Sequence, residues 1–161
     1  MKVRSVMSYD LIVVAPEEPL AQVHNMMVRE QIRHVPVVSG TKLVGILSRG
    51  DVLLQAVPDG RKAWLPDVRV GDAMTRSLRT CTEDSEVSDV AEMMIAEKIE
   101  CMPVVTNGEL VGVVTSTDLI ACLTHRPVAR VASFARRPGQ TGRSNRTLAL
   151  YKLKRIGKQV K

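Results

Sequence analysis

Aromatic residues are scarce in this sequence, since one Trp, two Tyr and one Phe make up only 2% of its 161 residues. Val, Ile, Leu and the eight Met must therefore fill the interior, and the hydrophobic fraction of 45% is ordinary for a globular protein. No uninterrupted apolar run approaches the roughly 20 residues that span a bilayer, and the N-terminus has no apolar stretch followed by a cleavage site. These absences predict a soluble cytoplasmic protein, either one compact domain or two small halves that share a core.

Residues that typically carry catalysis or bind metals are also few. The cysteines Cys81, Cys101 and Cys122 are odd in number and form no Cys-x-x-Cys pair, which disfavours a disulfide framework or a zinc site and favours buried reduced thiols. The three histidines lie at no suggestive spacing from a nucleophile, and no acidic cluster resembles a metal site. The sequence therefore predicts neither an enzyme nor a metal protein.

Acidic residues are absent from the end of the chain. Residues 124–161 contain 11 Lys and Arg and no acid, whereas residues 1–123 contain 12 Lys and Arg and all 17 Asp and Glu. The net charge of +6 thus combines a mildly acidic body with a basic tail. Such a tail could bind nucleic acid or an anionic membrane, although only Phe134 and Tyr151 are available for base stacking. Alternatively, it could cover the acidic body of its own or a neighbouring subunit.

The most informative feature is an internal repeat. Residues 6–56 align with residues 73–123 without a gap, and 14 of the 51 aligned pairs are identical. Each copy is too small to bury an adequate core alone. The fold class predicted is therefore α/β (α+β), built from two copies of one unit. The predicted organisation is repeat 1 over 1–57, a connector over 58–68, repeat 2 over 69–123 and a basic tail over 124–161.

Hydrophobic periodicity predicts the same order of elements in both repeats. In repeat 1 we predict a lead-in helix ending at Met7-Ser8, a strand over 11–14, a helix from the 16–19 segment to about 32, strands over 35–38 and 43–47, and a helix over 49–56. In repeat 2 we predict a lead-in over 70–74, a strand over 79–82, a helix over 85–99, a hairpin through Asn107-Gly108 and a helix from 116 or 117 to about 123.

One motif in each repeat suggests a chemistry: a Gly-containing strand is followed by a hydroxyl residue and, three positions later, by Asp. The pairs are Ser48 with Asp51 and Thr115 with Asp118. A helix N-terminus offers free N–H groups and positive potential to a phosphate, and the carboxylate can accept hydrogen bonds from the vicinal hydroxyls of a ribose. The pattern predicts a nucleoside-phosphate site. The alternative is that these residues only cap their helices, but recurrence in the same register favours the site.

The ordered set of motifs, occurring twice, resembles a tandem cystathionine-β-synthase (CBS) domain pair, or Bateman module, over about residues 3–123. The motifs that carry the resemblance are Met7-Ser8 and Met74-Thr75, residues 32–38 and 99–105, and residues 45–51 and 112–118. The resemblance implies two β-α-β-β-α units packed sheet against sheet about a pseudo-twofold axis. It also implies a homodimer, and two clefts that bind AMP, ADP, ATP or S-adenosylmethionine and signal to a partner or second subunit. A purely structural assembly protein with empty clefts is a further alternative.

The resemblance also implies the residues of each cleft, because in the family the hydroxyl and Asp of one unit face the residues before Pro-Val-Val of the other. Arg33 and His34 are expected to favour a charged nucleotide in the Asp118 cleft, whereas Glu100 repels phosphate in the Asp51 cleft. An ordinary surface role for Arg33 and a strand role for His34 stay open. The first cleft would combine Ser48 and Asp51 with Thr80, Ile99, Glu100, Cys101 and Pro103. The second would combine Thr115 and Asp118 with Val13, Ile32, Arg33, His34 and Pro36.

Overall fold

The computed structural model describes residues 1–55 and 68–124. The connector predicted over 58–68 and the basic tail predicted over 124–161 lie outside the described residues, apart from Val68 and Thr124. A short 3-10 helix over Val3–Ser5 precedes the other elements. These are α1 (Leu20–Arg29), β1 (His34–Ser39), β2 (Lys42–Ser48), α2 (Arg49–Leu54), α3 (Val70–Ala73), α4 (Val87–Glu97), β3 (Cys101–Thr106), β4 (Glu109–Thr115) and α5 (Ser116–Thr124).

Each repeat is built on an antiparallel hairpin, β1 with β2 and β3 with β4. The turn residues Gly40, Asn107 and Gly108 have φ values of 62°, 53° and 80°. Two-residue hairpin turns require such left-handed backbone, because it matches the twist of the flanking strands. Both predicted hairpins are confirmed.

The two long helices end two or three residues earlier than predicted. Gln31 and Lys98 follow them in the left-handed conformation, with φ of 56° and 55°. The next N–H groups, of Ile32 and Ile99, donate back to helix carbonyls at 3.0 Å. This arrangement closes a helix C-terminus, so the chain turns into β1 or β3 at the same place in both repeats.

The predicted first strand of each repeat is wrong as a strand, since it is reduced to one parallel bridge. Val14 bridges to β1 and Cys81 to β3, each with two backbone hydrogen bonds. The pairing stops there because the adjoining bond of each ladder would need an N–H group at Pro36 in β1 or Pro103 in β3, and proline has none. The N–H groups that follow Val14 and Cys81 lie on the other side of the chain and are taken by side chains. Ala15 N–H donates to Glu18 Oε1 at 2.9 Å, and Thr82 N–H donates to the Ser85 hydroxyl at 3.0 Å. Such local side-chain bonds form the turn that leads into the following helix.

The lead-in segments are exchanged between the repeats. Val3 N–H donates to the Ser85 carbonyl at 3.0 Å, and Val70 N–H donates to the Glu18 carbonyl at 3.0 Å. Farther along, Ser8 bridges to β4 and Thr75 bridges to β2. Each hairpin is therefore bordered by the lead-in that belongs to the other repeat.

The hydrophobic cores follow the same exchange. Val3 and Met7 are buried in the core of repeat 2, and Val70 and Met74 are buried in the core of repeat 1. A third cluster crosses between the repeats and contains Val13, Val38 and Leu110. The two hairpins thus pack together as a pseudo-symmetric pair, which confirms the predicted fold class.

Two glycines allow the exchanged methionines to approach the strands. A Cβ atom on Gly45 would lie 2.5 Å from Met74 Sδ. A Cβ atom on Gly112 would lie 3.1 Å from Met7 Sδ and 2.9 Å from the Ser8 carbonyl oxygen. Any larger residue would displace the lead-in, so the glycine of each motif is needed for close packing.

Within residues 1–55 and 68–124, none of the helices has the length and apolar character that crossing a membrane requires.

Candidate functional site

Each hydroxyl–carboxylate pair forms a reciprocal cap at the start of a helix. Asp51 N–H donates to Ser48 Oγ at 3.1 Å, while Ser48 N–H and Ser48 Oγ both donate to Asp51 Oδ2 at 2.7 Å. Thr115 and Asp118 repeat the arrangement, with corresponding distances of 3.3, 2.8 and 2.7 Å. Both pairs are therefore helix caps, as one interpretation of the sequence expected.

Capping uses only one oxygen of each carboxylate. All of these bonds converge on Oδ2, and Oδ1 of Asp51 and of Asp118 accepts no hydrogen bond from another described residue. Asp118 is only 8% exposed, and Asp51 is half-buried. The cap therefore holds each carboxylate in a fixed orientation and leaves one oxygen able to accept a further hydrogen bond.

The residues that precede Pro-Val-Val lie beside the cap of their own repeat. His34 is opposite Ser48 in the β1–β2 register, and Cys101 is opposite Thr115 in the β3–β4 register. The backbone reinforces this placement, because the carbonyls of the preceding residues accept the N–H groups of Arg49 and Ser116 at 2.9 and 3.0 Å. Within each repeat, one end of the hairpin thus gathers the cap and the strand residues.

One ion pair links these two hairpin ends across the repeats. Arg33 Nη1 lies 3.5 Å from Glu100 Oε2, and the two side chains are 54% and 56% exposed. Arg33 and Glu100 occupy equivalent positions of the two repeats. The two hairpin ends are therefore adjacent, and they meet at a pair of opposite charges.

His34 is neutral at neutral pH. Burial lowers the pKa of its imidazole below 6.5, the Glu100 charge raises it, the Arg33 charge lowers it and the Asp51 charge raises it, in that order of size. Neutral imidazole offers a donor and an acceptor but no charge. With this imidazole neutral, Arg33 is the charged member of the Arg33–His34 pair, and it already has an acidic partner.

The cysteines are free thiols, and the predicted burial holds for two of the three. Cys81 and Cys101 are buried and Cys122 is half-buried. Burial raises the pKa of Cys101 to about 12, with smaller contributions from the Asp118 charge and Cys81, and burial raises the pKa of Cys81 to about 11. Thiols that stay protonated are poor nucleophiles and metal ligands. No group of His, Cys, Asp and Glu in the described ranges could hold a metal ion.

The other predicted site residues differ in accessibility. Thr80 is exposed, and Val13 is 1% exposed within the cluster that joins the repeats. Ile32 and Ile99 are half-buried against the cores of their own repeats. Pro36 and Pro103 are buried in β1 and β3. Thr80 is therefore accessible to a ligand, whereas the side chains of Val13 and the two prolines are largely closed to solvent.

Two features were missed in the sequence. The first is the packing of Met7 and Met74 against the glycines, which the sequence indicates only by repeating Met and Gly at equivalent positions. The second is the Arg33–Glu100 ion pair, which the sequence could have predicted. Equivalent residues near a pseudo-twofold axis face each other, and these two carry opposite charges. The sequence-based assignment instead placed them in separate clefts.

Comparison with known proteins supports this architecture. The family model described as CBS domain matches residues 3–57 and 70–125. Protein MJ1225 of Methanocaldococcus jannaschii is 32% identical over 120 residues, which cover 69% of this chain and 43% of that protein. Its crystal structure is described as that of a putative archaeal homolog of g-AMPK, and it superposes on this chain with a TM-score of 0.70 at 29% identity. The aligned part covers 76% of this chain and 47% of the MJ1225 chain.

Two further relatives differ in how much of their length is matched. One is the CBS domain pair of protein MJ0100, crystallised in complex with 5-methylthioadenosine and S-adenosyl-L-methionine. It superposes on this chain with a TM-score of 0.67 at 28% identity, and the aligned part covers 77% of this chain and 96% of the MJ0100 pair. Inosine-5'-monophosphate dehydrogenase of Thermoplasma acidophilum is 32% identical over 112 residues, which cover 69% of this chain and 21% of that enzyme. The chain thus spans about a fifth of the dehydrogenase and less than half of MJ1225. Because both repeats match the family, the chain belongs to the CBS domain family and contains a tandem CBS pair.

Proposed function

We propose that this CBS pair is a regulatory module that binds an adenosine compound between its repeats and signals the bound state to a partner or second subunit. The observation that carries the proposal is the duplicated cap, which orients Asp51 and Asp118 and leaves Oδ1 of each available. A carboxylate oxygen held in this way suits a ribose hydroxyl, because a charge-assisted hydrogen bond is about twice as strong as a neutral one.

The relatives support an adenosine ligand. The MJ0100 pair binds 5-methylthioadenosine and S-adenosyl-L-methionine, and MJ1225 is described as a putative homolog of g-AMPK. The candidate ligands for this chain are therefore AMP, ADP, ATP and S-adenosylmethionine. A ligand held by groups from both repeats favours the arrangement in which those groups are correctly spaced, and a partner that distinguishes the arrangements reads the signal.

We assign two clefts, each combining groups from both repeats. In each one, an Asp binds the ribose, and the apolar side chains nearby contact the base. Arg33 and His34 lie near the 5′ substituent. One cleft comprises Ser48, Asp51, Thr80, Ile99, Cys101 and Pro103, and the other comprises Thr115, Asp118, Val13, Ile32, Arg33, His34 and Pro36.

Substitution of Asp118 tests the proposal. We expect Asp118→Ala to weaken adenosine binding at least tenfold in calorimetry. The matched control is Asp72→Ala, because Asp72 Oδ2 accepts Arg69 N–H at 3.0 Å in a cap at α3 that belongs to no cleft. Both variants lose about 1 kcal/mol of capping energy, but only Asp118→Ala should lose affinity.

A thermal-shift panel of adenosine, AMP, ATP and S-adenosylmethionine provides the first measurement. A ligand at 100 times its dissociation constant adds about 2.7 kcal/mol to the stability of the folded state. No shift with any adenosine compound would favour a structural assembly protein and refute the proposal. Equal affinity in the wild type and Asp118→Ala would refute the site assignment.

The homodimer is also a proposal. Leu53 and Leu54 on α2, and Ile120 and Leu123 on α5, are exposed, with Leu54 83% exposed. Exposed aliphatic side chains grouped on two helices are typical of an interaction surface. We expect sedimentation of the wild type as a dimer and of Leu54→Lys as a monomer, and a dimeric Leu54→Lys would exclude this surface.

A further inference from the structure

The Arg33–Glu100 ion pair bears directly on which ligand the clefts accept. The guanidinium and the carboxylate are 3.5 Å apart, and both side chains are more than half exposed. An ion pair of this kind is weak and solvent-screened, so it can open. While it is closed, however, the Glu100 carboxylate offsets part of the Arg33 charge that a phosphate would use.

The other groups at the two hairpin ends do not restore a positive potential. His34 is neutral for the reasons given above. The carboxylates of Asp51 and Asp118 are fixed by the caps, and Arg49, the first residue of α2, is the other cation at this end of repeat 1. Among the described residues at these two hairpin ends, three carboxylates accompany two guanidinium groups. A polyphosphate would therefore enter a region with a small excess of negative charge.

We propose that Glu100 is a specificity residue that selects adenosine compounds carrying little negative charge on the 5′ side. The inference rests on the proposed function and specifies its ligand class. A phosphate that binds Arg33 either displaces Glu100 or lies beside its carboxylate, and both cost free energy. An uncharged 5′ thioether meets neither obstacle, and a 5′ sulfonium with an ammonium group is attracted to Glu100.

The experiment measures the affinity of adenosine, 5′-methylthioadenosine, S-adenosylmethionine, AMP and ATP by calorimetry in a low-salt buffer. The variants are Glu100→Gln, the double variant Arg33→Gln/Glu100→Gln and the control Glu109→Gln. Glu109 is an exposed acid at the opposite end of the β3–β4 hairpin, so its substitution changes the net charge equally without altering the clefts.

We expect Glu100→Gln to tighten AMP and ATP binding roughly tenfold, because one repulsive charge near the phosphate is removed and Arg33 is released. Adenosine and 5′-methylthioadenosine should change less than about twofold, and S-adenosylmethionine should bind more weakly. The gain for AMP should shrink at high salt and should be lost in the double variant. Glu109→Gln should behave as the wild type.

The outcomes separate this inference from the function on which it rests. If adenosine binds but Glu100→Gln leaves the AMP-to-adenosine affinity ratio unchanged, the specificity role is refuted and the ligand-sensing function stands. An equal gain in Glu109→Gln would show a general charge effect and would also refute the role. If no adenosine compound binds the wild type or any variant, both the function and the inference fail.

Discussion

Substitution of Gly112 by Ala tests the exchange of lead-in segments that holds the two repeats together. The new Cβ atom would lie 2.9 Å from the Ser8 carbonyl oxygen and 3.1 Å from Met7 Sδ and Cε. The Ser8 carbonyl accepts Val113 N–H at 3.1 Å, and Ser8 N–H donates to the Val113 carbonyl at 2.9 Å. Since backbone blocks the methyl group, the lead-in must move and these two hydrogen bonds must lengthen.

The expected cost combines overpacking and weakened hydrogen bonds. Overpacking of a tight contact costs about 1–3 kcal/mol, and each hydrogen bond contributes roughly 0.5–1.5 kcal/mol. We therefore expect Gly112→Ala to lower the free energy of unfolding by about 2–4 kcal/mol. Urea unfolding measures this loss directly, and for a chain of this size the melting temperature should fall by roughly 5–15 °C.

Gly45 and Gly50 provide the controls. The obstacle at Gly45 is mainly the flexible Met74 side chain, with Sδ at 2.5 Å and Cγ at 3.0 Å. Met74→Ala should therefore cost much less in a Gly45→Ala background than in the wild type, a coupling that a double-mutant cycle detects. At Gly50 a Cβ atom would make only a 3.4 Å contact, so Gly50→Ala should be neutral or stabilising. A loss below about 0.5 kcal/mol for Gly112→Ala would refute the packing argument.

Three further predictions concern pH and the basic tail. Burial raises the pKa of Glu18, whose Oε2 has no hydrogen-bond partner among the described residues. A carboxyl with a raised pKa makes the folded state less stable as the pH rises above 4.5. The variant Glu18→Ser copies Ser85, the equivalent residue of repeat 2. Its free energy of unfolding in urea should exceed that of the wild type by about 1 kcal/mol at pH 7 and by far less at pH 4. The pKa of His34 is lowered, so its contribution to stability changes with pH in the opposite direction. The wild type should lose stability as pH falls below 6.5, and His34→Gln should lose less in the same assay. Deletion of residues 126–161 should leave adenosine affinity unchanged in calorimetry. Loss of nucleic-acid retention on a column would assign the tail to nucleic-acid binding, and loss of the dimer in sedimentation would assign it to docking.

The exchange of lead-ins also gives a physical basis for the signalling that we propose. Each hairpin is bordered by a segment of the other repeat, through the bridges at Ser8 and Thr75. A ligand that changes the spacing of the repeats must therefore act on both sheets together. This arrangement explains how binding in one cleft could alter the surface of α2 and α5, which we propose as the dimer interface.

Local sequence patterns predicted most of the secondary structure, because helix stripes and turn residues act over a few neighbours. Asn107-Gly108 determined a hairpin, and Ser48 with Asp51 determined a helix cap. The prediction failed at Val14 and Cys81, where an apolar run suggested a strand. Pro36 and Pro103 have no N–H group for the adjoining ladder bond, so the pairing ends after one residue, and apolar periodicity carries no information about the missing donors.

What the sequence determined by itself is the repeat: one pattern occurs twice at an offset of 67 residues, so equivalent residues adopt equivalent local conformations. What only the tertiary structure decided is which residues meet across the repeats. The contacts of Met74 with Gly45 and of Arg33 with Glu100 join positions far apart in the chain. They depend on how two folded surfaces fit together, and neither periodicity nor residue type specifies that fit.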